Sequence, residues 1–347
     1  MKIWKKIICM ALALALALPL VACGGSSKVT LNVLNWGDYI DPELLRQFED
    51  ETGISVKYTT MTSNEEMLVK LASADNIYDV CFPSDYLIEK LVADDLLYPI
   101  NKANIPNLSN IDPRFLDLSF DPGNQYSIPY MWGTVGILYN KTMVTDTVDS
   151  WNILWDAKYT GQILMYDSMR DTIGITLKKL GFDINTRNEA DILAAQEALI
   201  AQKPLVRAYL TDDIKMELIN GSAAMGVVYS GDAVYCISEN PDLAYVVPKE
   251  GSNVWFDNVI IPKSSKHTAE AEQFINFLCD AKVAAQNSDY IGFSTPNAAA
   301  LKLMDPTYAA DPTYNPPQDV LDRCQIFQDL GDFIKVFSDA WTKVKAA

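Results

Sequence analysis

Histidine is almost missing from this chain: His267 is the single example among 347 residues. It sits in a polar run, residues 263–268, that reads as a solvated loop. Histidine-based catalytic triads and most zinc or iron sites are thereby excluded. Cationic side chains are scarce as well, 28 Lys and Arg against 45 Asp and Glu, for a net charge of −17. A surface of that sign repels nucleic acid and anionic lipid and attracts cations. There is no phosphate-binding P-loop and no dinucleotide fingerprint. After residue 22 no apolar run is long enough to span a bilayer. Six cysteines occur, none at zinc-type spacing. Neither a metal nor a cofactor is expected.

What is present begins with an export signal. Lys2, Lys5 and Lys6 precede an apolar stretch, residues 7–20, too short to cross a membrane comfortably. Leu20-Val21-Ala22-Cys23 follows and resembles the lipobox of bacterial lipoproteins. Residues 1–22 are expected to be a signal peptide, with lipid on Cys23 and residues 23–28 as the tether. The protein is then held at the outer face of the cell membrane, or in the periplasm, by acyl chains rather than a membrane span. Removing three lysines and no acids leaves 25 basic and 45 acidic side chains, a charge of −20. Cys81, Cys236, Cys279 and Cys324 remain, and an exported protein could pair them. Cys81 and Cys279 lie in apolar runs and read as core residues.

Hydrophobic residues make up 49 % and charged residues 21 %, ordinary globular usage, and the length suits two lobes. Five segments share one design, an apolar run followed by an acid beside an aromatic. They end in Asn35-Trp36-Gly37-Asp38-Tyr39, Pro83-Ser84-Asp85-Tyr86, Tyr166-Asp167-Ser168-Met169-Arg170-Asp171, Tyr229-Ser230-Gly231-Asp232 and Trp255-Phe256-Asp257. The first four apolar runs read as buried strands; the fifth strand is expected beyond its motif, at Val259-Ile260-Ile261. Helices alternate with them. Asp41-Pro42 opens one that Gly53 closes, and Ser63 with Glu66 forms a capping box. Residues 85–92, 189–201 and 268–279 read as further helices, and residues 321–346 as mostly helical with a break at Gly331. Residues 305–317, rich in proline, read as a long loop. Such alternation predicts an α/β fold with mainly parallel sheets, whose ligands bind beyond the carboxyl ends of the strands. The aromatic–acid pairs fall there.

An alkyl ammonium ligand needs carboxylates for its charged ends and flat apolar walls for its stem. Trp and Tyr faces supply the walls and attract the cation, at about 0.5–2 kcal/mol per contact. Asp38, Asp85, Asp167, Asp171, Asp232 and Asp257 are candidate carboxylates; Trp36, Tyr39, Tyr86, Tyr229, Trp255 and Phe293 are candidate walls. Singly, an Asp after a strand is more often a helix N-cap and a lone aromatic more often core. The repetition at one topological place favours a site.

Asn35-Trp36-Gly37-Asp38-Tyr39-Ile40, residues 127–133, Pro248-Lys249-Glu250-Gly251, Trp255-Phe256-Asp257 and Ser294-Thr295-Pro296-Asn297 resemble the spermidine/putrescine-binding proteins of bacterial ABC transporters. The resemblance runs from about residue 29 to the end. It implies a two-lobed type II periplasmic binding protein fold, with two discontinuous α/β lobes and a ligand cleft between them. Lobe 1 would comprise residues 29–133 and 256–301, and lobe 2 residues 134–255 and 302–347. It implies a monomeric receptor, not an enzyme, that closes on a polyamine and passes it to an ABC permease. Trp36 and Tyr39 would stack and hydrogen-bond in the first lobe, with Ser84 and Tyr86 as the next wall and Asp171 as a central carboxylate. Asp257 would hold an ammonium beside Trp255; Asp38 and Asp232 match acids of the putrescine-type branch. Ser168 replaces a second carboxylate of spermidine-type members, which together with Asp38 and Asp232 favours a shorter diamine; Tyr229 replaces a Trp and Phe293 a Tyr. A glycosidase would need a fixed pair of carboxylates, which nothing here defines. A sugar receptor would mix Asn, Gln and Arg with the acids, whereas these strand ends are chiefly acidic.

Overall fold

The computed structural model describes residues 29–347. The signal peptide, Cys23 and the tether lie outside the described residues. The described residues form nine strands: β1 (Thr30–Trp36), β2 (Ser55–Met61), β3 (Val80–Cys81), β4 (Ser127–Asn140), β5 (Ile163–Tyr166), β6 (Val206–Leu210), β7 (Met225–Tyr229), β8 (Leu243–Val246) and β9 (Val254–Ile260). The principal helices are α1 (Pro42–Thr52), α2 (Asn64–Ala72), α3 (Asp85–Ala93), α4 (Met169–Leu180), α5 (Glu189–Gln202), α6 (Ile214–Ile219), α7 (Ser230–Glu239), α8 (Thr268–Leu278), α9 (Ala281–Ile291) and α10 (Ile334–Ala346). Among the described residues no helix is long and apolar enough to cross a membrane.

Local signals act as read. Asp41 caps α1 by accepting from Glu43 N at 2.9 Å, Pro42 takes the first turn, and Gly53 ends it at φ 74°. Ser63 Oγ accepts from Glu66 N at 3.1 Å, while the Glu66 carboxylate reaches Thr62 N at 2.9 Å, one residue before the cap.

The strands follow the order β2-β1-β3-β9-β4-β7-β5-β6, with β8 also paired to β4. Pairing is mixed rather than mainly parallel. β1 with β2 and β3, and β5 with β6 and β7, are parallel, but β9 and β4 run antiparallel to every partner. The cause is β4, a 14-residue strand buried along almost its whole length. Its first half pairs with β9, residues 127–134, and its second half with β7 and β8, residues 135–140. One strand therefore belongs to both halves of the molecule.

Three further expectations change. The fifth strand includes its motif: β9 starts at Val254 and buries Trp255, Phe256 and Asp257, because β4 on one side and β3 on the other enclose it. Within the C-terminal segment, residues 322–330 are not helical. Gln325 N donates to Ser252 O and Val254 N to Gln325 O, both at 2.9–3.0 Å, so this stretch is laid alongside the approach to β9 instead. The proline-rich loop contains a short helix, Pro306–Ala310, with Asp305 as its cap. The four cysteines are unpaired, three of them buried. A large core joins both halves, and a smaller cluster around Leu138, Leu164, Leu218 and Val228 lies under α6 and α7.

Candidate ligand-binding site

Two buried carboxylates organise the site, one in each half. Asp257, on β9, is 7 % exposed. Its Oδ2 accepts from the Tyr39 hydroxyl at 2.7 Å and its Oδ1 from Ser84 Oγ at 2.6 Å. Asp171, in the first turn of α4, is 6 % exposed. Its Oδ2 accepts from the Tyr229 hydroxyl at 2.8 Å and from Ser168 Oγ at 2.6 Å. Each acid is thus held by one tyrosine and one serine. Neither forms a salt bridge among the described residues. Burial pushes the Asp257 carboxyl up to about 6, against the pull of the Ser84 and Tyr39 hydroxyls. Burial raises Asp171 too, opposed by Ser168, Tyr229 and the Arg170 guanidinium.

Between the two acids runs a wall of rings. Tyr229 meets Trp255 at 5.9 Å between centroids, Trp255 meets Phe293 at 5.5 Å, and Phe293 meets Tyr39 at 5.7 Å. All three pairs are edge-to-face, at 73–80°, worth about 0.5–1.5 kcal/mol each beyond their burial. Two glycines make room. A Cβ on Gly231 would lie 2.2 Å from the Phe293 ring, and one on Gly133 would lie 2.6 Å from the Trp255 ring. The Tyr39 loop is held from behind: Tyr130 OH donates to Tyr39 O at 2.5 Å and accepts from Asn287 Nδ2 at 2.7 Å, while Asn287 Oδ1 takes Asp41 N.

Not every predicted residue joins this cluster. Trp36 is half-buried at the end of β1, its Nε1 donating to Phe82 O at 2.9 Å. Asp38 is exposed, at φ 48°, and has no hydrogen bond to the cluster. Asp85 is 1 % exposed and wholly occupied by backbone, accepting from Tyr86 N at 2.7 Å and Phe256 N at 3.1 Å. It ties α3 to β9 rather than capping α3; Ser84 occupies that cap position. Tyr86 lies against the Arg170 guanidinium, 5.5 Å from its ring centroid, a contact between the two halves. Asp232 is paired with Lys215 Nζ at 3.3 Å, and Asp167 with Lys345 at 2.8 Å. A cavity of about 370 Å³ lined by Phe115, Trp132, Met304 and Tyr314 contains none of the predicted site residues.

Four contributors escaped the sequence reading. Ser168 had been read only as a missing acid, although its spacing from Asp171 is a capping pattern, and Ser168 is indeed the cap of α4. Tyr130 and Arg170 stood inside quoted motifs without a role. Lys215 carried no signal at all.

The site is thus an α/β frame that sets an aromatic wall between two buried acids, neither in a salt bridge among the described residues. The chain belongs to the bacterial extracellular solute-binding proteins, whose family model matches residues 43–316. It is 36 % identical to the spermidine/putrescine-binding periplasmic protein of Salmonella typhimurium over 100 % of this chain and 99 % of that one. A Listeria monocytogenes structure assigned to a spermidine/putrescine ABC transporter superposes with a TM-score of 0.87 at 42 % identity, covering 91 % of this chain and 98 % of its own. The substrate-binding protein PotD of a spermidine/putrescine ABC transporter from Streptococcus pneumoniae gives 0.83 at 39 % identity, covering 92 % and 99 %. These relatives are substrate-binding transport proteins, and the α/β fold is theirs.

Proposed function

We infer that this chain captures a polyamine, putrescine or spermidine, outside the cytoplasm and delivers it to an ABC permease without making or breaking a bond. The observation that carries the reading is the pair Asp171 and Asp257. Each is buried, each is held by hydroxyl donors, and neither has a cation of its own. Hydroxyl bonds favour the ionised carboxylate but leave its charge unpaired. An alkyl diammonium supplies the missing charges at both ends, and the wall of Tyr229, Trp255, Phe293 and Tyr39 accommodates its methylenes. Trp36, Ser84 and Tyr86 border the cleft in this reading, and Asp38 and Asp85 add to its negative field.

The lobes divide as the resemblance implies, residues 29–133 with 256–301 and residues 134–255 with 302–347. A ligand touching both favours the closed form, which the permease reads. The receptor works as a monomer, tethered by lipid on Cys23. Calorimetry on residues 28–347 with putrescine, spermidine, cadaverine, agmatine and maltose tests the ligand: amines bind and maltose does not, and the reverse outcome overturns the reading. Cys23→Ser is expected to release the protein from membranes; a processed variant that stays bound there excludes the anchor.

A further inference from the structure

Among the described residues, Lys215 and Asp232 form the one ion pair that borders the ring wall. Lys215 lies in α6, and Asp232 in the first turn of α7, one turn after Tyr229. Nζ and Oδ1 are 3.3 Å apart, with side chains 29 % and 12 % exposed. Gly231, next in sequence to Asp232, abuts the Phe293 ring, so this turn is itself part of the wall. The position reaches both halves: after burial and nearer neighbours, the charge of Asp232 contributes to raising the hydroxyls of Tyr39 and Tyr229.

We propose that Lys215 is an internal ammonium that occupies Asp232 and thereby limits the cleft to ligands with two charged ends. This rests on the polyamine reading. Around the wall stand three carboxylates, Asp171, Asp232 and Asp257, of which only Asp232 forms a salt bridge among the described residues. Two are left, matching a diamine. A linear triamine brings a third ammonium, and desolvating it without an anionic partner is unfavourable. Lys215 therefore acts as a specificity-determining residue, selecting against higher ligand charge by competition rather than by shape. Ser168 does not enter the argument, since it is engaged with Asp171.

Calorimetry with putrescine and spermidine on wild-type protein and four variants tests this. Lys215→Met frees Asp232 and should improve spermidine relative to putrescine by about tenfold or more, the scale of a close charge pair. Lys215→Arg keeps the cation and should retain the wild-type ratio. The double variant Lys215→Met, Asp232→Asn should lose the gain, which separates a freed charge from added space. Should Lys215→Met fail to fold, Asp232→Asn reads the same charge from the other side. It removes the salt-bridge partner of Lys215 and must weaken spermidine at least about threefold more than putrescine. An unchanged ratio in Lys215→Met, or equal losses in Asp232→Asn, overturns the assignment while polyamine binding by the wild type stands. Wild-type protein that binds neither amine overturns both readings.

Discussion

The two carboxylate stations solve one problem with the same residue types and different geometry. At Asp257 each oxygen accepts one hydroxyl, Tyr39 on one and Ser84 on the other. At Asp171 both hydroxyls converge on Oδ2, and the acid sits in the first turn of a helix beside Arg170. The helix N-terminus and the guanidinium already offset part of the Asp171 charge. Asp257 has only its two hydroxyls. Equal burial therefore leaves unequal unmet charge, the greater at Asp257.

Removing that charge gives the largest expected effect. Asp257→Asn should weaken polyamine binding by about 2–5 kcal/mol, because a buried ammonium loses its partner. Melting of the unliganded protein near neutral pH should not fall, because the variant also removes the cost of a buried charge. A loss below about tenfold in calorimetry would place the charge elsewhere. Asp171→Asn should cost less, about 1–3 kcal/mol, on account of the helix and Arg170. If the two losses are equal, or reversed, the asymmetry drawn here is wrong.

Acidity sharpens the same contrast. Asp257, with its carboxyl at about 6, takes up a proton as pH falls through that value. Ligand binding should then fall by about tenfold per pH unit below 6, and Asp257→Asn should flatten the profile. For the unliganded protein the sign is opposite. A carboxyl raised on folding contributes a cost that is absent below its unfolded value and complete above its folded one. Stability should thus decline between about pH 4 and 6, by about 3 kcal/mol from this group. The difference between wild-type and Asp257→Asn melting curves across that range isolates it; parallel curves would remove Asp257 as the source.

The smallest effects concern the hydroxyls. Tyr39→Phe strips the single donor from one Asp257 oxygen and should cost about 1 kcal/mol of binding. Tyr229→Phe leaves Ser168 on the same Asp171 oxygen and should cost about half as much. Carboxyl titration by NMR should show Asp257 moving upward in Tyr39→Phe. A larger loss from Tyr229→Phe would invert the comparison.

Much of the fold was legible because its signals are local. Asp41-Pro42 and Gly53 delimit α1, and Ser63 with Glu66 starts α2, through backbone groups a few residues away. The apolar runs became β1, β3, β5 and β7 where expected. Strand direction was not legible, since an antiparallel crossing by β4 depends on partners from residue 225 onward. Nor was the extended course of residues 322–330, whose backbone partners Ser252 and Val254 lie about seventy residues away.

The sequence by itself determined the charge, the strand-end placing of the acids beside aromatics, and the residue types able to hold an ammonium. These follow from composition and from short-range periodicity. The tertiary structure alone decided which acids are available. Asp85 is taken by two backbone N–H groups, Asp232 by Lys215 and Asp167 by Lys345, while Asp171 and Asp257 are held by hydroxyls and form no salt bridge among the described residues. An aspartate has the same chemistry at all five positions. Its function depends on whether folding brings it a cation, a backbone donor or neither, and those partners lie up to 178 residues away along the chain.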